Sequence, residues 1–264
     1  MPRVYTYGPF QSRRLGLSLG VNVLLNYKIC TFNCIYCEIG LTEKMVSPTF
    51  RINAPPSFNF RKELTDILKY FPHLNSITFG YNGEPTLNNN LLDFLNIAIE
   101  VRDNFDWEST KPLLTLFTNS STLHFIEIRE RVREFEFILA KLDVATEDDF
   151  KRTNRPHKEV PPIEKIIDSL VKLKEILPEN HKLVIQSLLY NSYIDNFIPN
   201  INSENISKLG EAIRRIKPDL VQVYSIARIP AEHFVYAISD DQRIEIKQKL
   251  KDIILDDNIK IDCF

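Results

Sequence analysis

Strand-like and helix-like runs alternate along this chain with a regularity that few folds accommodate. The β-rich runs are LSLGVNVLL (17–25), SITFGY (76–81), LLTLFTN (113–119), FILAKLDVA (137–145), KLVIQSLLY (182–190) and DLVQVYSIA (219–227). Apolar residues at helical spacing fill 60–71, 89–105, 121–135, 162–177 and 203–217, and a last helix is expected over 239–255. Pro162 opens one of these helices, where a missing N–H costs least. Ser239 or Asp240 can cap the last. Residues 146–161 read as a long polar loop. Strict alternation argues for parallel strands joined by right-handed crossovers. Polar residues stand at the C-terminal end of nearly every strand: Cys30 onward, Asn82-Gly83-Glu84, Thr118-Asn119, Asp143, Gln186 and Tyr224. In a barrel those ends converge on one mouth. The expected fold class is therefore α/β, a partial (β/α)6 TIM-like barrel, as a single domain over 1–264. It would have an N-terminal arm (1–16), a β/α core (17–225) and a C-terminal tail with a helix (226–264).

With 264 residues, 44% of them hydrophobic, the chain can bury a substantial core. No apolar run of about 18 residues occurs, and the first residues lack the apolar stretch of a leader, so a cytoplasmic protein without a membrane span is expected. The net charge of −2 provides no global field toward nucleic acid. Six of the seven glycines precede residue 84, which marks the first third as the region where backbone must turn tightly or approach a ligand.

Three of the four cysteines fall within eight residues, CTFNCIYC, with the spacing Cys30-x3-Cys34-x2-Cys37. A zinc site asks for four ligands, usually as two short-spaced pairs. Here Cys263 is the only further thiol, and His73, His124, His157, His181 and His233 are scattered. Iron–sulfur chemistry accounts for the number three. A [4Fe–4S] cluster normally takes four thiolates; three leave one iron open, and an open metal position is where a substrate or cofactor binds. Two alternatives stand beside this one: a non-catalytic Fe–S protein with Cys263 as fourth ligand, and a zinc-stabilised binding module.

Cys30, Cys34 and Cys37, with the aromatic Tyr36 before the last of them, resemble the signature of the radical S-adenosylmethionine (SAM) superfamily. That resemblance implies a [4Fe–4S] cluster held by the three cysteines and SAM chelated at the open iron. It also implies reductive cleavage of SAM to a 5′-deoxyadenosyl radical. Gly80-Tyr81-Asn82-Gly83-Glu84-Pro85-Thr86 is similar to the family's Gly-Gly-Glu segment for the SAM amino group, with Asn82 in place of the first glycine. A carboxylate and backbone carbonyls can accept from an ammonium. The resemblance places Tyr36, Thr118, Asn119, Lys141, Asp143 and Gln186 against the rest of SAM. Read without it, NGEP is a turn, Ser120 a helix cap, and Lys141–Asp143 a salt bridge at a strand end.

The segments GPFQSRRLGLSLGVNV, KLDVATEDDFKRTNRPH and VQVYSIARIPAE resemble one subgroup, Fe–S oxidoreductases related to the wyosine-type tRNA-modifying synthases. Those synthases carry further cysteines for a second cluster, which this chain lacks, so their reaction does not transfer. The subgroup's Arg-Pro-Pro is Arg228-Ile229-Pro230 here. Arg13, Arg14, Arg155, Gln222, Tyr224 and Arg228, with Arg152 and His157 nearby, are the candidate substrate contacts. Several arginines at a barrel mouth point to an anionic substrate, a small molecule or tRNA. With no second cluster, a flavodoxin-like or ferredoxin-like partner would supply the electron.

Overall fold

The structure, a computed structural model, describes residues 3–24, 27–108 and 110–264. Its strands are β1 (Thr6–Ser12), β2 (Gly16–Val21), β3 (Ile29–Cys30), β4 (Lys44–Met45), β5 (Ser76–Phe79), β6 (Leu113–Thr118), β7 (Phe137–Lys141), β8 (Lys182–Ser192), β9 (Leu220–Ser225), β10 (Val235–Ala237) and β11 (Lys260–Cys263). Its helices are α1 (Phe58–Leu68), α2 (Leu91–Asp103), α3 (Ile126–Val132), α4 (Glu147–Thr153), α5 (Ile163–Ile176), α6 (Ser203–Ile216) and α7 (Asp240–Ile254). A curled sheet runs β1-β2-β5-β6-β7-β8-β9-β11, with β10 beside β8 and β3-β4 as a separate pair. Every pairing along β2 to β11 is parallel, and β1–β2 and β10–β8 are antiparallel. The six expected strands are all present in the expected order.

Strand alternation sorts side chains onto two faces. One face carries Leu19, Ile77, Phe79, Leu116, Ile138, Ile185, Val221 and Val223, fully buried in one cluster with helix residues such as Phe60, Leu64, Leu170, Leu209 and Leu250. The other face mixes Phe117, Leu139 and Val184 with polar side chains. Ser18 Oγ meets Thr78 Oγ1 at 2.7 Å, Ser76 Oγ meets Thr115 Oγ1 at 2.8 Å, and Gln186 Nε2 donates to Gln222 Oε1 at 2.7 Å. The sheet is thus apolar toward its helices and mixed in character on its inner side.

Several boundaries differ from expectation. The arm is not a loose segment: Thr6–Ser12 pairs with β2, with a register shift between Tyr7 and Phe10 around Pro9. Proline is tolerated there because β1 is an edge strand and the shift absorbs it. The tail adds β11 to the far edge. The supposed loop 146–161 contains α4, whose cap is Thr146 Oγ1 accepting from Asp149 N at 3.2 Å. β2 ends at Val21, short of the expected 25, and Leu25 itself lies outside the described residues, as do Met1 and Pro2 of the arm. Ser239 caps α7 in a capping box with Gln242.

Tyr7 lies over Gly20, its register partner, and donates to the Gly80 carbonyl at 3.0 Å. A Cβ at Gly20 would fall 2.0 Å from Tyr7 Cζ. Gly20→Ala is therefore expected to destabilise the fold by about 1–3 kcal/mol through overpacking. Thermal melting checks this, and an unchanged Tm would rule it out.

Candidate functional site

The cysteine loop leaves β3 and is fixed from two sides. The end of α4 and the residues after it grip it: Asn33 N donates to Asn154 O at 3.0 Å, Ile35 N to Thr153 O at 3.0 Å, and His157 N to Thr31 O at 2.8 Å. Phe32 packs edge-on against Phe150 of α4, ring centroids 5.3 Å apart. On the other side, Ile29 N donates to Asn82 O at 2.7 Å and Glu84 N to Ile29 O at 3.0 Å. Gly83 makes this second contact possible, with φ +123° and its α-carbon pressed against the chain, so that a Cβ would lie 1.7 Å from Ile29 O. Tyr81 holds φ +114°, a strained value for a residue with a side chain.

Cys30, Cys34 and Cys37 line one cavity that is partly open to solvent. Tyr36, Gly83, Asn119, Lys141 and Asp143 line it too, as do Lys28 and Asn154, which the sequence reading did not single out. Each sulfur has a side-chain N–H donor. Asn119 Nδ2 lies 3.4 Å from Cys30 Sγ, Asn154 Nδ2 3.4 Å from Cys34 Sγ, and Lys28 Nζ 3.2 Å from Cys37 Sγ. Burial, with the neighbouring thiol second, pushes Cys30 up to about 12; burial and then Cys37 push Cys34 up to about 11. Thiols grouped this way give up their protons to a metal rather than to water.

Among the described residues no three His, Cys, Asp or Glu side chains converge on a single ion position. A mononuclear zinc site needs such convergence. A four-iron cluster does not, because each thiolate meets its own iron. Separate sulfurs around one cavity, each with an N–H donor, fit that group. Cys263 does not join them. It lies on β11 in register with Val223, packs with the helix-side core, and feels Arg243, Lys247 and Lys251 of α7. Its side chain is thus on the face opposite to Gln222 and Tyr224, which removes the geometric basis for a fourth-ligand role.

Glu84 is fully buried and does not line the cavity. Its carboxylate accepts from Thr86 Oγ1 at 2.6 Å, Thr118 Oγ1 at 2.9 Å and Asn119 N at 2.6 Å, and burial raises its pKa. It therefore ties the end of β5 to the end of β6 and aims Asn119. Asp143 is 2% exposed and accepts from Lys141 Nζ at 2.7 Å, from Leu188 N at 2.7 Å, from Asn154 Nδ2 at 3.3 Å and from Tyr36 Oη. Lys141 also donates to Tyr224 Oη at 2.6 Å. Burial works against the Lys141 ammonium, but Asp143 and Tyr224 outweigh it and its pKa is raised. The salt bridge read from the sequence is present.

The arginines separate clearly. Arg155 is ion-paired with Glu232, Arg228 is an exposed partner of Glu38 at 3.3 Å, and Arg152 binds Asp149 and the Ile198 carbonyl. Arg13 is exposed in the β1–β2 turn. Arg14 reaches inward: its guanidinium carbon lies 4.2 Å from the Tyr224 ring centroid and its Nη1 is buried without a hydrogen-bond partner. Gln186, fully buried, likewise keeps its Oε1 unpartnered.

Comparison with solved structures shows which fold this is. The chain superimposes with a TM-score of 0.57 on Streptococcus suis SuiB bound to S-adenosylmethionine, at 17% identity, covering 91% of this chain and 51% of that one. It superimposes at 0.61 on anSMEcpe with bound AdoMet and the Cp18Cys peptide, at 14% identity over 92% of this chain and 62% of that one. Against TYW1 with a lysine-pyruvate adduct the TM-score is 0.58 at 17% identity, over 89% and 73%. The expected radical SAM type of partial barrel is thereby borne out as a fold.

Among curated sequences, the chain is similar to the UPF0026 protein MJ1312 of Methanocaldococcus jannaschii, 27% identical over 232 residues, 87% of this chain and 65% of that protein. It is also 27% identical over 242 residues to a Brachyspira hyodysenteriae protein named GTPase Obg, covering 92% of this chain and 33% of that one. The chain thus spans a third to two thirds of the length of these relatives. No protein-family model matches it. No helix among the described residues is long and apolar enough to cross a membrane.

Proposed function

We propose that this chain is a radical SAM enzyme. A [4Fe–4S] cluster at Cys30, Cys34 and Cys37 would supply the electron that cleaves SAM to methionine and a 5′-deoxyadenosyl radical, which takes hydrogen from the substrate. The observation that carries this reading is the three-thiol set, each sulfur with its own N–H donor, on the wall of a cavity that Cys263 does not reach.

The chain's own residues have separable tasks. Backbone carbonyls of the 82–84 loop accept from the SAM ammonium, and the Glu84 carboxylate holds that loop and Asn119 in place. Asp143 orients Lys141 and Tyr36, and these two, with Asn119 and Gln186, surround the remainder of SAM, while Thr118 acts through its hydrogen bond to Glu84. Arg14 over Tyr224, next to Gln222, is the arginine that supports an anionic substrate, since Arg155 and Arg228 already have carboxylate partners. A flavodoxin-like or ferredoxin-like protein is the proposed electron source.

The test is anaerobic reconstitution with iron and sulfide, then SAM and dithionite, with 5′-deoxyadenosine read by mass spectrometry. The wild type and Cys263→Ala are expected to form it, while Cys34→Ala forms none. A loaded wild type that makes no 5′-deoxyadenosine beside an active control enzyme would sink the catalytic reading. Loss of the cluster in Cys263→Ala would restore the fourth-ligand alternative.

A further inference from the structure

Among the described residues, Lys28 is the cavity cation that has no carboxylate partner. It is 6% exposed, and its Nζ contacts Cys37 Sγ at 3.2 Å and the Gly40 carbonyl at 2.6 Å. Among the described residues no carboxylate forms a salt bridge with it, whereas the other cavity lysine, Lys141, has Asp143. A buried ammonium requires an anionic partner, and of its two described contacts the Cys37 sulfur is the one that can carry negative charge. The other two sulfurs receive neutral amide N–H groups, from Asn119 and Asn154.

We infer that Lys28 is a redox-tuning residue: its cation sits on the Cys37 sulfur and favours the reduced form of the metal centre proposed above, on which this inference rests. The physical basis is direct. A centre that gains one electron gains one negative charge, and a fixed positive charge on a ligand sulfur stabilises that product more than the starting state. Charge and hydrogen bonds at the sulfurs are the levers by which a protein sets such potentials. The 2+ cluster takes one electron, from dithionite in the assay or from a low-potential carrier protein, and becomes 1+; no proton is transferred. Lys28 needs no contact with SAM for this task and acts through Cys37.

The experiment compares wild type, Lys28→Met and Lys28→Gln after anaerobic reconstitution. Iron and sulfide are counted per chain, and the reduced fraction is followed by electron paramagnetic resonance during a redox titration without SAM. Lys28→Met is expected to keep the cluster and to show a reduced-to-oxidised ratio at least tenfold lower at a fixed potential. For one electron that is a negative shift of about 59 mV. Lys28→Gln, which keeps an N–H but loses the charge, is expected between the two. A Lys28→Met ratio within threefold of wild type would overturn the inference. So would two variants that fold, by circular dichroism and melting, yet hold no cluster, because Lys28 would then serve assembly. Wild type alone reports on the underlying reading: without iron and sulfide in it, the cluster proposal itself fails.

Discussion

Asp143→Ala is expected to lower stability by about 3–5 kcal/mol, the usual effect of removing one partner of a buried ion pair. For a chain of this size that corresponds to a fall in Tm of roughly 10 °C. The carboxylate gathers Lys141, Leu188 N, Asn154 and Tyr36, so its loss strands a buried ammonium and a buried backbone N–H together. The double variant Asp143→Ala/Lys141→Met removes both charges and should recover a large part of the loss. A recovery of nothing would show that the ion pair is not the main source. The pH dependence has a definite sign. The folded-state pKa of Lys141 is raised above its ordinary 10.5, so its contribution is complete below that value and is lost only as pH rises through the folded-state value. Wild-type melting is therefore expected to show no loss from Lys141 between pH 7 and 9.

Gly83→Ala is expected to be as damaging, at about 3 kcal/mol or more, by a different route. The new Cβ would meet a backbone carbonyl at 1.7 Å, and φ +123° is hostile to any side chain. The neighbour is main chain, so no rotamer change relieves the clash. Either the 81–84 loop or β3 must withdraw, and β3 begins the cysteine loop. Melting temperature and iron bound after reconstitution should fall together. Normal iron uptake in Gly83→Ala would show that the two loops are not coupled through this contact.

Much of this site was legible because its signals are local. The Cys30–Cys37 spacing, the glycine at 83 and the polar strand ends each sit within a few residues, and periodicity ordered the six strands correctly. What was not legible depended on contacts far along the chain. Lys28 belongs to no motif, and Asn154 lies within the segment 141–157 without standing out in it. They matter because the segment 153–157 hydrogen-bonds to the cysteine loop and because residue 28 folds back onto residue 37. Likewise four of the five arginine candidates at 13, 14, 152, 155 and 228 look alike in sequence to the one that points inward. Only Arg14 does so, since the β1–β2 hairpin carries it over Tyr224 while Arg152, Arg155 and Arg228 find acidic or carbonyl partners.

By itself, then, the sequence determined the order of strands and helices and the three-thiol loop, because hydrophobic period and residue spacing are properties of the local chain. Tertiary structure decided which groups share a space. Cys263 shows why. Its distance in sequence says nothing about the cluster loop, and a strand sends neighbouring side chains to opposite faces. One residue of parity on β11, fixed by pairing with β9, turns that thiol toward α7 and leaves three cysteines, not four, around the cavity.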